Sequence, residues 1–526
     1  MIGKIPFWAK EQLKLRRVFE AWISEEIDRY EKEGFQNLFR DREDHALDEV
    51  GGYTRSFVGG YCLGADRRIP GFMKQFRDDW LKGVTAAGHF YRGYNRNGHG
   101  DYITHTAEVF TQFLLNVLYL DMEDEKTVAI VDEAAGCLGN WHDDVQDFYD
   151  WDRNIFLSYF LGTESPYHKP PYDFQTPRHF RVLTIALAAY EATGNPRYLD
   201  LCTDYCDFWC REILEAEADA DVPVHFYMID PEAFEQFCKD RAFRESYRFG
   251  YYKGYRQAVS QLRGPETGLR DGTPCIPGGS IRDLKPPHHV LNDLVMTWLE
   301  VFKYAPEEMY RQVLRRVMCG WVGLGEDLVS QVAGIEPHCG VHLPKYRDFM
   351  ADTSLDAPYL EQWPDGVCSY LLTGDEDRLL GSATASEAIL TQTLLRNRGL
   401  FGDQFSTKHA CNAMSVAGTT SAYVAPALFM PVFGGLNVHY GRAPWVNVLY
   451  YTDGAIGLPE DVAALYVPAV QGKGHSVKLA NAGTKIQNVA VHPVNPLESG
   501  KLVLTAPAGL TEVTVKPGEV VEAGMS

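Results

Sequence analysis

One stretch of the sequence concentrates side chains that can bind anions and transfer protons. Residues 89–102 read HFYRGYNRNGHGDY, and ITHTAE follows at a predicted helix start. Elimination from a uronate needs a cation or amide at the substrate carboxylate, a base for the C5 proton and an acid for the leaving oxygen. The candidates for these roles are Arg92, Arg96, Asn97, His99, Tyr102 and His105. The same loop is also consistent with polar aromatic side chains that only pack over the end of a helical domain.

A second stretch combines carboxylates with aromatic rings. Residues 140–152 read NWHDDVQDFYDWD. Glycoside hydrolysis requires a pair of carboxyl groups, and Trp141, Tyr149 and Trp151 are candidates to stack on a sugar ring. Asp is equally favoured at helix N-termini, so a capping role stays open. The candidates for the acid and the base are Glu108, Asp143, Asp144, Asp150, Asp152, Glu361 and Asp365.

Further candidates for substrate binding precede other predicted helices. Arg178 and His179 stand at one helix start, and the helix-breaking pair Pro286-Pro287 is followed by His288, His289, Asn292 and Asp293. One ring of an adjacent His pair at a helix start would point into a cleft, although capping or packing is the alternative. A last group of predicted substrate contacts comprises Tyr346, Arg347 and Trp363.

No metal and no cofactor are predicted. His338 and His342 in HCGVH are spaced as metal ligands can be. The sequence offers no matching second pair of ligands, and a zinc site needs three or four. Cys202, Cys206 and Cys210 recur every four residues, which fits a buried helix stripe, with soft-metal binding as the alternative. A phosphate-binding loop, a dinucleotide fingerprint and a G-x-S-x-G elbow are absent from the sequence.

Helical hairpins are the elements that must position these side chains. Residues 176–214 predict two helices separated by TGNP, and the same pattern returns at 290–319 and at 359–383. Other helices are predicted over residues 7–33, 102–120, 125–138, 231–262, 385–398 and 409–430. Together these helices make about six hairpins.

The pattern of apolar and turn-forming residues changes near residue 433. Short β-rich runs follow, divided by Gly, Pro and Asn, at 446–451, 477–479, 486–491, 502–504 and 513–515. The sequence therefore predicts a helical domain over residues 1–432 and a small all-β, sandwich-like domain over residues 433–526.

Serial hairpins with T-G-[ND] turns, long aromatic and His-rich loops and a terminal all-β module resemble the (α/α)-toroid glycoside hydrolases and polysaccharide lyases. The resemblance implies an (α/α)6-type toroid whose cleft is lined by the loops before its inner helices. It is architectural and covers most of the chain, and architecture does not fix a reaction. We expect cleavage of a glycan by β-elimination at a uronate, with hydrolysis through a carboxylate pair as the alternative. A sugar epimerase, which in such toroids uses paired His, and a non-catalytic glycan-binding protein are the other interpretations.

Composition narrows the partners further. The 526 residues are 45% hydrophobic, enough for a large core, and their net charge of -21 provides no basic field for nucleic acid. Neither a signal peptide nor an apolar run of about 18 residues is recognised, so no membrane partner is predicted. Eleven scattered Cys fit reduced thiols and a cytoplasmic protein. The expected partner is a glycan.

Overall fold

The computed structural model is mainly helical before residue 434, and antiparallel strands follow. That part of the fold prediction is confirmed. The structure describes residues 5–34, 54–86, 88, 90–95, 101–163, 172–215, 226–246, 280–281, 288–322, 366–398, 419–434, 447–468, 474–494 and 504–525. The chain forms two compact units. The first comprises Met1–Gly83, Val109–Met122 and Gly325–Ser526, and the second comprises Val84–Glu108 and Glu123–Leu324.

The described helices are, in chain order, α1 (Phe7–Glu33), α2 (Phe57–Leu63), α3 (Ile69–Ala86), α4 (Ile103–Val109), α5 (Leu115–Leu120), α6 (Glu125–Leu138), α7 (Phe180–Thr193), α8 (Pro196–Leu214), α9 (Pro231–Lys239), α10 (Arg241–Ser246), α11 (His288–Tyr304), α12 (Glu308–Val322), α13 (Gly366–Thr373), α14 (Ser382–Arg398) and α15 (Met430–Phe433). Two π-helical segments lie at Phe110–Leu114 and Thr420–Phe429. Two 3₁₀ turns lie at Pro177–His179 and Glu376–Leu379.

The described strands before residue 434 are short: β1 (Phe90–Tyr91), β2 (Tyr94–Asn95), β3 (Asp101–Tyr102), β4 (Tyr149–Asp150), β5 (Ile155–Phe156), β6 (Phe160–Leu161), β7 (Phe174–Gln175), β8 (Phe226–Met228) and β9 (Ser280–Ile281). The strands that follow are longer, except for the two-residue β11: β10 (Val448–Thr452), β11 (Ala455–Ile456), β12 (Val462–Val467), β13 (Ser476–Asn481), β14 (Gln487–Pro493), β15 (Thr511–Val515) and β16 (Val520–Gly524). These seven strands form the C-terminal sheets.

The first unit joins α1 to two antiparallel sheets. Their strand orders are β11–β10–β14–β15 and β12–β13–β16. Tyr450 pairs with Val491 in the first sheet, and Leu465 pairs with Lys478 in the second. The strand β12 packs against α1 and α15, and five of its six residues are buried.

Four of the predicted β-rich runs, at 446–451, 477–479, 486–491 and 513–515, are confirmed as β10, β13, β14 and β15, with shifted ends. Three of the described C-terminal strands were missed: β11, β12 and β16. VAALYV in β12 is an unbroken apolar run without the alternation of a half-buried strand. VVEAG in β16 is largely exposed and offers little hydrophobic pattern.

The second unit is centred on α7. Residues Phe180 to Ala189 of this helix are all buried, and α7 packs against α6, α8 and α11. Gly194 ends α7 with a φ of 70°, a left-handed conformation that favours glycine. Asn195 then caps α8 by accepting the N–H of Arg197 at 3.3 Å, and Pro196 opens the helix. The predicted hairpins at 176–214 and 290–319 are confirmed as α7–α8 and α11–α12.

Some predicted helices differ from the described ones. The helix predicted over 231–262 breaks at Asp240, whose Oδ1 accepts the N–H groups of Ala242 and Phe243 and so caps α10. The predicted helix at 102–120 contains the π-helical segment Phe110–Leu114. Residues 247–262, 359–365 and 409–418 of other predicted helices lie outside the described part of the chain.

The cysteine stripe of α8 belongs to the core. Cys202, Cys206 and Cys210 are buried, and burial raises the pKa of the Cys206 and Cys210 thiols. A protonated, buried thiol is a poor nucleophile and a poor metal ligand. Among the described helices, none combines the length and the apolar character that crossing a membrane requires.

Arg16 connects distant parts of the first unit. Its guanidinium donates to the carbonyls of Leu63 at 3.0 Å, Leu458 at 2.9 Å, Pro459 at 3.0 Å and Val462 at 3.2 Å. The residue is 2% exposed. The Arg16 side chain therefore joins α1 to the last residue of α2 and to the residues that precede and begin β12.

We expect Arg16→Ala to lower the free energy of unfolding by about 3 to 5 kcal/mol, because it leaves several buried carbonyls without their charged donor. The matched control is Arg17→Ala, whose side chain is 58% exposed and pairs with Asp461 at 3.5 Å. The control should change stability by less than about 0.5 kcal/mol. Urea denaturation of both variants checks this prediction, and equal midpoints would contradict it.

Candidate functional site

The predicted site residues fall into three groups. Those outside the described part of the chain are Arg96, Asn97, His99, Tyr346, Arg347, Glu361, Trp363 and Asp365. Those placed by their backbone are Tyr102 in β3, His105 in α4, and His288 and His289 in α11. Those with described side chains are Arg92, Glu108, Trp141, Asp143, Asp144, Asp150, Asp152, Arg178 and His179. The last group can be analysed by its contacts.

Backbone hydrogen bonds bring the start of α4 to the segment that precedes α7. Tyr102 lies in β3, which pairs with β6. The N–H of Ile103 donates to the carbonyl of Tyr159 at 3.1 Å. One residue earlier, the carbonyl of Ser158 lies 3.1 Å from Nε2 of His179. The first turns of two buried helices therefore flank the same short segment of chain.

An ion network links the second turns of α4 and α11 to the start of α7, and we call it the helix-start cluster: Glu108, Arg178, Arg181 and Asp293. Arg181 donates from Nη1 to Oε1 of Glu108 at 2.8 Å and from Nε to Oδ1 of Asp293 at 3.1 Å. The Nη1 of Arg178 lies 3.0 Å from Oδ2 of Asp293. Two cations and two carboxylates thus meet within the first two turns of three helices, and their charges balance.

Burial separates the members of the helix-start cluster. The Asp293 side chain is 0% exposed and that of Arg181 is 4% exposed, whereas 25% of the Glu108 side chain is exposed. Glu108 is therefore the member of this cluster best able to meet a ligand. Glu108, Arg178 and Asp293 were candidates from the sequence, and Arg181 was missed. The spacing of Arg178 and Arg181, three residues apart on one helix face, was the available signal.

His179 caps the helix that carries the arginines. The N–H of Thr176 donates to Nδ1 at 3.2 Å, so Nε2 carries the proton and donates to the carbonyl of Ser158. The ring is fully buried, and burial lowers the pKa of His179 to about 4. His179 is therefore neutral at pH 7. Both ring nitrogens serve the backbone, which matches the capping alternative.

A second group, the hairpin cluster, surrounds the turn between β1 and β2: Tyr91, Arg92, Glu133, His142 and Asp144. Arg92 has a φ of 47° beside Gly93 at 93°, as a two-residue hairpin turn requires. Its Nε donates to Asp144 at 3.1 Å, and its Nη1 lies 3.7 Å from Glu133. The guanidinium that was predicted to bind a substrate carboxylate is thus paired with carboxylates of the chain itself.

The hydrogen bond from the Tyr91 hydroxyl, with the contribution of Arg92, lowers the pKa of Asp144 below its ordinary value. Asp144 is consequently ionised at neutral pH. A general acid must carry a proton at the working pH. In a carboxylate pair, Asp144 would suit the base or nucleophile and not the acid.

The remaining described candidates lie in the loop after α6. Trp141 packs on Gly139, where a Cβ would come within 2.3 Å of the indole, and the Arg197 guanidinium lies 4.7 Å from a ring centroid of Trp141. Asp150 is half-buried, and its Oδ1 accepts the N–H groups of Asp152 and Arg153. Asp143 and Asp152 are exposed. Trp141 therefore has one face covered, and Asp150 shapes its own turn.

The described residues contain no group of three or more His, Cys, Asp and Glu side chains arranged to hold a metal ion. No protein family model matches the chain, and no curated protein or solved structure matches it either.

The lowered pKa of His179 predicts a pH-dependent contribution to stability. On acidification, His179 binds a proton near pH 6.5 in the unfolded chain but only near pH 4 in the folded protein. Stability is therefore lost as the pH falls from 6.5 to 4, by about 3 kcal/mol for this group. Compared with wild type, His179→Gln should lose about 3 kcal/mol less between pH 7 and pH 4. Urea denaturation across this range measures the difference, and parallel pH profiles would contradict the assignment.

The burial difference within the helix-start cluster gives another prediction. Asp293→Asn should lower the free energy of unfolding by about 3 kcal/mol, because two buried guanidinium groups lose their shared carboxylate. Glu108→Gln should cost less than about 1 kcal/mol, since Glu108 keeps contact with solvent. Thermal or urea denaturation of the two variants provides the comparison. A greater loss in Glu108→Gln would show that the cluster is organised around Glu108.

Proposed function

We propose that the protein cleaves a uronate-containing oligo- or polysaccharide by β-elimination. The observation that carries the proposal is the chain of contacts from Glu108 through Arg181 to Asp293, which joins the second turns of α4 and α11 to the first turn of α7. Helix N-termini favour negative charge, and these contacts bring the N-terminal ends of the three helices close together. Elimination at a uronate builds negative charge on the substrate carboxylate in the transition state. An anion-stabilising end of the helices suits this chemistry.

The proton-transfer roles fall to residues at the start of α4. In the proposed reaction, His105 or His99 takes the C5 proton, and Tyr102 gives a proton to the leaving glycosidic oxygen. Tyr102 and His105 are three residues apart, on the strand and first helical turn that are bonded to Tyr159. Arg96 or Asn97 is the proposed partner of the substrate carboxylate, because Arg178 and Arg181 are already paired with Asp293 and Glu108. His288 and His289 begin α11, the helix that carries Asp293, and are proposed substrate contacts.

We further propose that the described hairpins α7–α8 and α11–α12 are repeats of an (α/α)-toroid, as the sequence resemblance implies. Short turns follow α7 and α11, and long connections precede them. Alternation of short and long connections brings the long loops to one end of a layer of hairpins. This support is topological and comes from the second unit alone.

Hydrolysis is the second candidate, favoured by the orientation of Glu108. Arg181 holds the Glu108 carboxylate at 2.8 Å while a quarter of that side chain stays exposed. An oriented carboxylate in contact with solvent is one half of the pair that glycoside hydrolysis requires. The loop after α6 contains three exposed carboxylates that could supply the other half of the pair: Asp143, Asp144 and Asp152.

The two reactions leave different products. Elimination creates a conjugated C4–C5 double bond that absorbs ultraviolet light, and hydrolysis creates a reducing end without that absorbance. The purified chain should raise the absorbance of at least one member of a panel of uronate glycans. New reducing ends without absorbance would replace the lyase with the hydrolase. Binding without either product would make the chain a glycan-binding protein.

Tyr102→Phe tests the proposed acid. We expect kcat to fall by about 100-fold or more, the usual contribution of a general acid, while the fold is retained. Tyr190→Phe is the matched control. Tyr190 lies near the C-terminal end of α7, and its ring meets that of Tyr304 edge-on at 5.2 Å between centroids. Initial rates of absorbance increase give kcat for both variants. Full activity in Tyr102→Phe would remove Tyr102 from the mechanism.

A further inference from the structure

Trp151 is an exposed indole held in one orientation. The residue is 39% exposed. Its Nε1–H donates to the carbonyl of Gly139 at 3.2 Å, and its ring meets Tyr149 edge-on at 5.0 Å between centroids. Trp141 supports it at 5.8 Å. A large apolar ring is thus fixed at the surface.

The loop that carries Trp151 is also fixed. Asn140 has a φ of 61°, accepts the Phe148 N–H at 2.7 Å and donates to the Tyr149 carbonyl at 2.6 Å. At the other end Asn154 has a φ of 59° and donates to the Asp204 carbonyl at 3.3 Å. Preorganised aromatic side chains bind with little loss of conformational entropy. The loop is therefore built to present the indole.

The charges around Trp151 restrict what it can hold. Residues 143–153 contain five Asp and one Arg, and Asp143, Asp147 and Asp152 are exposed. Like charges disfavour a uronate carboxylate at this position. Carboxylates are good acceptors for sugar hydroxyls. An uncharged pyranose ring, with an apolar C–H face and hydroxyls at its edge, fits both the indole and its acidic surroundings.

We propose that Trp151, and not Trp141, is the stacking residue of a glycan subsite that takes an uncharged sugar. This inference rests on the proposed function, because it assumes a glycan ligand. It narrows the substrate class to heteroglycans in which a uronate alternates with a neutral or N-acetylated sugar. A polymer of uronate alone would place a carboxylate beside the aspartates.

Calorimetric titration tests the subsite independently of turnover. The probes are hexasaccharides that alternate glucuronate with N-acetylglucosamine, compared with galacturonate hexamers. Wild type should bind the alternating probe more tightly. Trp151→Ala should weaken that binding by about tenfold, the effect of truncating one stacked aromatic ring, and should leave binding of the uronate hexamer unchanged.

Two variants serve as controls. Trp151→Tyr keeps an aromatic face and should bind the alternating probe within about threefold of wild type, since stacking needs the ring and not the Nε1–H. Phe7→Ala truncates another aromatic residue, 50% exposed, in α1 and should bind as wild type does. Circular dichroism melting confirms that each variant folds.

The outcomes separate the subsite from the reaction. Three outcomes would overturn the subsite. Trp151→Ala could bind the alternating probe as tightly as wild type does, or it could lose the same affinity for both probes. Wild type could also bind neither probe. If Trp151→Ala binds both probes as wild type does and still eliminates from uronate glycans, the proposed reaction holds and the Trp151 subsite does not. Trp151-dependent binding with no product formed would leave the subsite standing and remove the reaction.

Discussion

A buried carboxylate, Asp293, is the constraint on which the helical second unit depends. A charge that is removed from water must be paired, and Asp293 accepts a hydrogen bond from Arg181 and forms an ion pair with Arg178 at the neighbouring helix start. These contacts fix the start of α11 against the start of α7. Through Arg181 they reach Glu108 and the start of α4. The geometry of the proposed anion site follows from satisfying one buried charge.

Much of the fold could be predicted from local patterns. The bounds of α1 and α6 match the prediction because apolar periodicity and end signals agree there: Gly34 follows α1, and Asp124 caps α6. The hairpin α7–α8 was readable from its TGNP turn. In these places a few neighbouring residues decide the structure, so the sequence contains the whole signal.

Other features depend on residues that are far apart in the chain. Nothing local distinguishes β12 from a buried helical segment, because the partners that cover both of its faces come from elsewhere in the first unit. Arg92 and Asp144 were each predicted to meet substrate, and the structure pairs them with each other. The pairing of Arg181 with Asp293 joins residues 112 positions apart. A sequence pattern names such charges but not their partners.

The contacts of Arg16 impose an order on folding during synthesis. Three of its four acceptor carbonyls lie 442 to 446 residues further along the chain. At ribosomal rates of roughly 5 to 20 residues per second, α1 waits at least some tens of seconds for them. During that interval Leu63 is the one of its four acceptors that Arg16 can already meet, and α1 already has Phe57 and Phe72 as aromatic partners. The first unit therefore gains the full set of Arg16 contacts only after residue 462 has been synthesised.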